Sequence, residues 1–149
     1  MTIQKITPIA PSEQHSAVMQ LLAETKYRKD AEDEAGYVEV WARNAKLTIH
    51  SNGRQIGPIV GRAAIMDFYR NSWARNEHGT DSGRETHVAE HPFIEPNGKH
   101  SCRAIHSAIF TAMDGKEPVL IGFGTFTDDI VFEDGRWRIL ERVSNINRR

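Results

Sequence analysis

The chain has 149 residues, of which 39% are apolar and 26% are charged, and its formal net charge is −1. These values predict one soluble globular domain and give no basic excess for a nucleic-acid partner. The single cysteine, Cys102, excludes an intrachain disulfide and fits a reducing compartment. The N-terminal stretch lacks the apolar core of a signal peptide, and no apolar run is long enough to span a membrane. We therefore expect a cytoplasmic protein that binds neither membrane nor nucleic acid.

The chain begins with a predicted tail over residues 1–11, followed by one domain over residues 12–149. Ser12 is a candidate N-cap, and apolar residues at helical spacing extend a first helix to about residues 26–29. The cations at the end of this helix predict a solvated terminus, where positive charge suits the helix dipole. They are Lys26, Arg28 and Lys29.

Helical spacing resumes over residues 30–45 and again over residues 62–76, which predicts two further helices. Between them, residues 46–50 predict a short strand that ends before an Asn-Gly pair, and residues 56–61 predict a loop. A second loop is predicted over the polar residues 77–85. The first half of the chain is therefore expected to be mainly helical.

From residue 86 onward the pattern is that of strands separated by turns. Residues 86–96 predict one strand, in which Pro92 marks an edge or a bulge. Asn-Gly and Asp-Gly turns then separate three long strands over residues 99–113, 119–133 and 136–148. Helices followed by a strand meander indicate an α+β fold. We expect a curved antiparallel or mixed sheet that wraps around the helices as a cone and encloses a cavity.

The histidines in the middle of the chain raise the question of a metal site. His87 and His91 have the i, i+4 spacing of a helical zinc motif, but they lie in a predicted strand, where four residues span about 13 Å. Because no CxxC or HExxH motif accompanies them, we predict no metal. Cys102 is interpreted as a small core residue, and no phosphate-binding loop or GxSxG elbow is present. We predict no cofactor.

Acid–base chemistry is the remaining possibility. Histidine transfers protons near neutral pH, and it does so best when a carboxylate orients the ring. Asp30 follows the first helix and His87 begins the first long strand, so both can point into the cavity of a cone fold. The residues alone leave two interpretations open, a functional pair or a solvated Asp30 with a strand-end His87, and they favour the second.

A resemblance to a known family changes this balance. The order of the elements and the motifs VEVWARNAKLTIH, GRAAIMDFYR, THVAEHPFIEPNGK and GTFTDDIVFEDGRWRILER resemble the SnoaL-like branch of the nuclear transport factor 2-like superfamily. The resemblance covers roughly residues 12–147 and implies a cone fold with a deep cavity, in a homo-oligomer such as a dimer or trimer. The pattern is most similar to hexachlorocyclohexane dehydrochlorinase, scytalone dehydratase and bile-acid 7α-dehydratase, which remove a proton with a His–Asp dyad.

The resemblance places this dyad at Asp30, eleven residues before Trp41, and at His87. It implies a cofactor-independent lyase or isomerase, dehydratase-like, that acts on a small hydrophobic molecule, with His87 as base and Asp30 orienting it. Tyr27 is a third catalytic candidate, which would polarise a carbonyl, or else a rim aromatic. The candidate substrate-binding residues are His91, Arg103, His106, Trp41, Phe68 and Trp73.

The sequence also departs from these relatives. Thr25 stands where the dehydrochlorinase has a lysine, and Phe132 and Glu133 stand where it has an arginine, so haloalkane elimination is not expected. Because Arg103 and His106 lie on opposite faces of one strand, at most one of them faces the cavity. The alternative function is a non-catalytic ligand-binding protein, or a structural subunit similar to the β subunits of aromatic-ring dioxygenases.

Overall fold

Three helices pack against the inner face of a curved, seven-stranded mixed sheet in the computed structural model, which describes residues 11–149. The helices are α1 (Ser12–Asp30), α2 (Glu34–Tyr37) and α3 (Arg62–Ala74). The strands are β1 (Trp41–Ser51), β2 (Arg54–Val60), β3 (Thr86–Ala89), β4 (Phe93–Gly98), β5 (Ser101–Asp114), β6 (Glu117–Glu133) and β7 (Arg136–Arg148). The predicted tail lies outside the described residues except for Pro11.

The sheet has the strand order β2-β1-β7-β6-β5-β3, and β4 also pairs with β5. β1 and β7 run parallel, and every other described pair is antiparallel. The three longest strands, β5, β6 and β7, form a continuous meander at its centre. The predicted α+β class with a curved mixed sheet is therefore confirmed, and the sheet remains open between β2 and β3.

The core forms where the apolar stripes of α1 and α3 meet the inner face of the sheet. Its buried helical residues include Val18 and Leu22 of α1 and Ile65 of α3, at the helical spacing expected from the sequence. A second, smaller cluster consists of Ala108, Phe110 and Phe126. Side chains from both clusters line an interior cavity.

Two predictions near the N-terminus are wrong. The helix predicted over residues 30–45 ends at Tyr37, a 3₁₀ turn covers Val38–Val40, and Trp41 already begins β1. β1 pairs with both β2 and β7, and this pairing outweighs a weak helical pattern. Ser12 is not the N-cap either, because it is the first helical residue after Pro11 and no side chain caps the helix.

Two predictions in the sheet are also corrected. The loop predicted over residues 56–61 belongs mostly to β2, an exposed edge strand that pairs with β1. The single strand predicted over residues 86–96 is two strands, β3 and β4, which both pair with β5. The chain leaves the sheet between them near Pro92, a residue that cannot donate a hydrogen bond to a ladder.

A buried ion pair joins β6 and β7 on the inner face. Asp128 and Arg142 are register partners, and two hydrogen bonds of 2.7 Å connect the guanidinium to the carboxylate. The side chains are 0% and 7% exposed. His106 of β5 donates a further hydrogen bond of 2.8 Å from Nε2 to Asp128. The guanidinium also lies 5.6 Å from the ring of Trp41 and 5.3 Å from that of Phe126.

We predict that Asp128→Asn lowers the free energy of unfolding by about 3–5 kcal/mol, because it leaves the Arg142 charge buried without a counter-charge. The measurement is urea unfolding followed by circular dichroism. Asp129→Asn is the matched control, since Asp129 also bonds an arginine, Arg103, but on the exposed outer face. It should change stability far less, and equal losses in the two variants would contradict the account.

Candidate active site

An interior cavity of about 70 Å³ lies between α1, α3 and the inner face of the sheet. Its apolar lining residues are Ile49, Ile56, Phe68, Tyr69, Phe126 and Ile146, and its charged or titratable ones are Lys26, Lys29, His78, His87, His106, Arg142 and Arg148. A larger groove of about 1200 Å³ lies outside, between α1 and the turns near Lys99 and Gly135. The interior cavity is the candidate site, because burial shifts the pKa values of titratable side chains that line it, such as His87 and His106, whereas the titratable residues of the groove are exposed or half-buried.

Asp30 and His87 are in contact at the edge of this cavity. Asp30 is the last residue of α1, and His87 is the second residue of β3. His87 Nδ1 lies 2.6 Å from Asp30 Oδ1, and the backbone N–H of His87 donates to Asp30 Oδ2 at 2.8 Å. Because the carboxylate accepts from Nδ1, the ring proton sits on Nδ1 and Nε2 keeps a free lone pair.

The surroundings of His87 favour its neutral form. Burial lowers the pKa of the imidazole, and this effect outweighs the hydrogen bond and charge of Asp30, which raise it. The ring is 7% exposed and packs edge-on against Phe110, with ring centroids 4.7 Å apart. A neutral imidazole with a free Nε2 is the form that can accept a proton.

Glu85 places a second carboxylate beside the ring, with its Oε1 3.7 Å from His87 Nε2. Burial alone would raise the pKa of this carboxyl, but the hydrogen bond and charge of Arg148 and the charge of Lys29 lower it to about 2. Lys29 Nζ lies 3.1 Å from Glu85 Oε1, and Arg148 also pairs with Glu85. The ionised Glu85 is therefore positioned to stabilise His87 once the ring takes up a proton.

His106 takes part in a second polar chain across the cavity. Its Nε2 donates to Asp128, and its Nδ1 lies 3.2 Å from Lys26 Nζ. Burial lowers the pKa of His106 despite its bond to Asp128, so the ring is neutral near pH 7. Its free lone pair is on Nδ1, which makes it the opposite tautomer to His87.

Two of the predicted substrate-binding residues line the cavity, Phe68 and His106. Trp41 is fully buried in the core, where its ring lies 5.6 Å from the Arg142 guanidinium, and it is not part of the lining. Trp73 packs against Tyr37 and lines a smaller neighbouring pocket. Trp41 and Trp73 therefore support the wall and do not form its surface.

Three other predicted site residues lie away from the cavity. Tyr27 is 72% exposed and lies in a surface groove of about 510 Å³, which Asp30 and His87 also line. His91 is exposed in the segment between β3 and β4. Arg103 is on the outer face of the sheet, where it pairs with Asp129 at 2.8 Å. The opposite placement of Arg103 and His106 is the alternation expected of a strand.

Several residues of the site were not predicted: Lys26, Lys29, Arg142 and Arg148, which line the cavity, and Glu85 and Asp128, which contact its lining histidines. Lys26 and Lys29 were interpreted as part of a solvated helix end. They follow the buried Leu22 by four and seven residues, and this helical spacing indicates that they lie on the same side of α1 as Leu22. Asp128 lies between two buried apolar residues in the alternating pattern of β6, and this alternation indicates that its side chain faces inward. Glu85 precedes β3 in the predicted loop, and no periodicity marks it.

The single cysteine is a core residue, as expected. Cys102 is fully buried, and burial raises the pKa of its thiol to about 11.

Within residues 11–149, no three His, Cys, Asp or Glu side chains cluster as metal ligands would. In the same part of the chain, no helix is long and apolar enough to cross a membrane.

The fold and the cavity define a cone-shaped α+β protein with titratable side chains gathered around an interior pocket. Residues 10–143 match the family model of the SnoaL-like domain, and the chain belongs to this family. No protein of curated function matches it significantly. The family model describes the SnoaL-like domain as a whole and does not single out the dehydrochlorinase and dehydratase group within it. Membership of that group therefore stays a prediction.

Solved structures share the fold at low sequence identity. Aln2 from a Streptomyces species is 20% identical with a TM-score of 0.76, over 95% of this chain and 94% of that one. A protein from Catenulispora acidiphila in complex with S-DNPA is 17% identical with a TM-score of 0.74, over 91% and 95%. An NTF2-like protein with a cystatin-like fold from Novosphingobium aromaticivorans is 15% identical with a TM-score of 0.72, over 89% and 81%. These similarities show the fold alone.

Proposed function

We propose that the protein is a cofactor-independent lyase or isomerase in which His87 removes a proton from a carbon next to a carbonyl group. The observation that carries this proposal is the buried contact between His87 Nδ1 and Asp30, which leaves Nε2 as a free base. Two hydrogen bonds from His87 fix the carboxylate, so the pair keeps one orientation. Such preorganisation is what a general base requires.

The charges around His87 match the requirements of proton abstraction. Proton uptake makes the ring an imidazolium, which Asp30 and the ionised Glu85 stabilise. Negative charge then develops on the substrate, and Arg148 and Lys29 line the same cavity. Return of the proton to another carbon gives an isomerase, and its delivery to a leaving hydroxyl gives a dehydratase-like lyase.

The substrate in this proposal is a small, largely hydrophobic carbonyl compound. The apolar side chains of Phe68, Phe126 and Ile146 form one part of the lining, and the polar groups converge on another. The cavity of about 70 Å³ restricts the ligand in this conformation to a few non-hydrogen atoms. The Catenulispora protein of the same fold forms a complex with S-DNPA, which supports small-molecule binding here.

A homo-oligomer, a dimer or a trimer, and a cytoplasmic location are part of the proposal. The outer face of the sheet carries a row of exposed apolar side chains at register positions, which we call the outer patch: Val88, Phe93, Ile105, Ile109 and Phe123. Contiguous exposed apolar surface of this kind marks protein–protein contacts. Sedimentation should therefore give a dimer or trimer, and Ile109→Glu should shift it toward monomer. A monomeric native protein would contradict this part.

The proton abstraction is tested with acetone in heavy water, by following loss of the α-hydrogen signals in proton NMR. We expect exchange to be faster than in buffer, and His87→Gln to lower the rate by about 10²–10⁴-fold. Asp30→Asn should do the same, because the backbone N–H of His87 binds the amide oxygen and turns the NH₂ toward Nδ1. The imidazole is then forced to carry its proton on Nε2.

The matched control is His100→Gln, since His100 is an exposed histidine in the turn before β5. The rate should be constant at high pH and fall as the pH drops through the pKa of His87, because only the neutral ring accepts a proton. Burial lowers that pKa, so the fall should lie below the ordinary histidine range. Exchange that His87→Gln leaves unchanged would overturn the proposal and favour the alternative of a non-catalytic binding protein.

A further inference from the structure

Lys26 differs from the other cations that line the cavity. Arg142 pairs with Asp128, while Lys29 and Arg148 pair with Glu85. Among the described residues, no carboxylate lies within ion-pair distance of Lys26. Its Nζ instead lies 3.2 Å from His106 Nδ1 and 5.8 Å from the centre of the Phe126 ring.

Lys26, His106 and Asp128 have the arrangement of a nucleophile, a base and an orienting carboxylate. Asp128 accepts the Nε2 proton of His106 at 2.8 Å, which leaves the lone pair of Nδ1 facing the lysine. The hydrogen bond therefore runs from Lys26 to His106, and the ring is oriented to take a proton from the amine. Serine and cysteine nucleophiles are activated by this same relation of three groups.

The surroundings of Lys26 make its amine easier to deprotonate than that of an ordinary lysine. Burial lowers the pKa of this amine, the charge of Arg142 on β7 lowers it further, and together they bring it to about 8. Asp128 on β6 and Asp30 on α1 act in the opposite direction and do not restore the ordinary value. A lysine becomes nucleophilic when it is desolvated or lies next to another cation, and Lys26 meets both conditions.

We propose that Lys26 is a nucleophilic amine that forms an imine with a small aldehyde or ketone bound in the cavity, with His106 as its base. The lone pair of Nζ attacks the carbonyl carbon, and the carbonyl oxygen takes up a proton from solvent water. His106 Nδ1 removes a proton from the nitrogen to give the neutral carbinolamine. The same proton is then returned to the hydroxyl group, which leaves as water while the C=N bond forms as a protonated imine, and loss of the nitrogen proton to solvent gives the neutral imine. No group is oxidised or reduced.

This proposal is independent of the role of His87. Imine formation is measured as a mass added to Lys26, and it needs no turnover of a substrate. Proton abstraction is measured on a free ketone in solution. The two proposals therefore succeed or fail in separate readouts.

The test is reductive trapping with acetaldehyde and cyanoborohydride at neutral pH, which converts an imine to an ethylated lysine that peptide mass spectrometry locates. A fall in pKa from 10.5 to about 8 raises the neutral amine fraction at pH 7 by roughly two orders of magnitude. We therefore expect Lys26 to be ethylated at least about tenfold faster than the exposed Lys46 and Lys99.

Lys29 is the matched internal control, because it lines the same cavity but pairs with Glu85 at 3.1 Å. It should react no faster than the exposed lysines, and unfolding in urea should bring Lys26 down to the same rate. His106→Asn should slow ethylation of Lys26 in the folded protein. The proposal is overturned if native Lys26 reacts no faster than Lys46, Lys99 and Lys29, a comparison that needs no variant.

Discussion

The buried ion pair between Asp128 and Arg142 is the interaction on which the rest of the cavity depends. Two charges have been removed from water at the centre of the sheet, and the cost is offset only because the guanidinium, the carboxylate and His106 satisfy one another. The pair connects β6 to β7 and holds the His106 ring through Nε2. Its charges also reach Lys26, where Arg142 lowers the pKa of the amine. One structural contact thus influences, together with burial, the pKa values of two side chains in the cavity, Lys26 and His106.

The two histidines of the cavity are held by different carboxylates and in opposite tautomers. Asp30 accepts from Nδ1 of His87, and Asp128 accepts from Nε2 of His106. The free lone pair is therefore on Nε2 in one ring and on Nδ1 in the other, beside Glu85 and Lys26 respectively. Burial keeps both rings neutral near pH 7, so each is a base. The proposed proton abstraction and imine formation use these two bases.

The sequence predicted the α+β class and the meander from β5 to β7, because strand alternation and Asp-Gly turns are local signals. It did not predict that β1 begins at Trp41, since that start depends on pairing with β7, almost a hundred residues further along the chain. The residues alone did not decide whether Asp30 and His87 form a functional pair. The family resemblance predicted that they do. Glu85 and Arg148 could not be predicted as site residues from the sequence, because their contact depends on the order of strands in the sheet. Tyr27 was favoured by its position three residues before Asp30, but its side chain is exposed in a surface groove that Asp30 and His87 also line, and it does not reach the interior cavity.

The most direct test is the tautomer of each cavity histidine, read from the ring nitrogen shifts in ¹⁵N NMR of the native protein near pH 7. We predict that neutral His87 carries its proton on Nδ1 and that neutral His106 carries its proton on Nε2. A His87 ring protonated on Nε2, or a doubly protonated ring at this pH, would contradict the proposed mechanism, because no free base would then face the substrate.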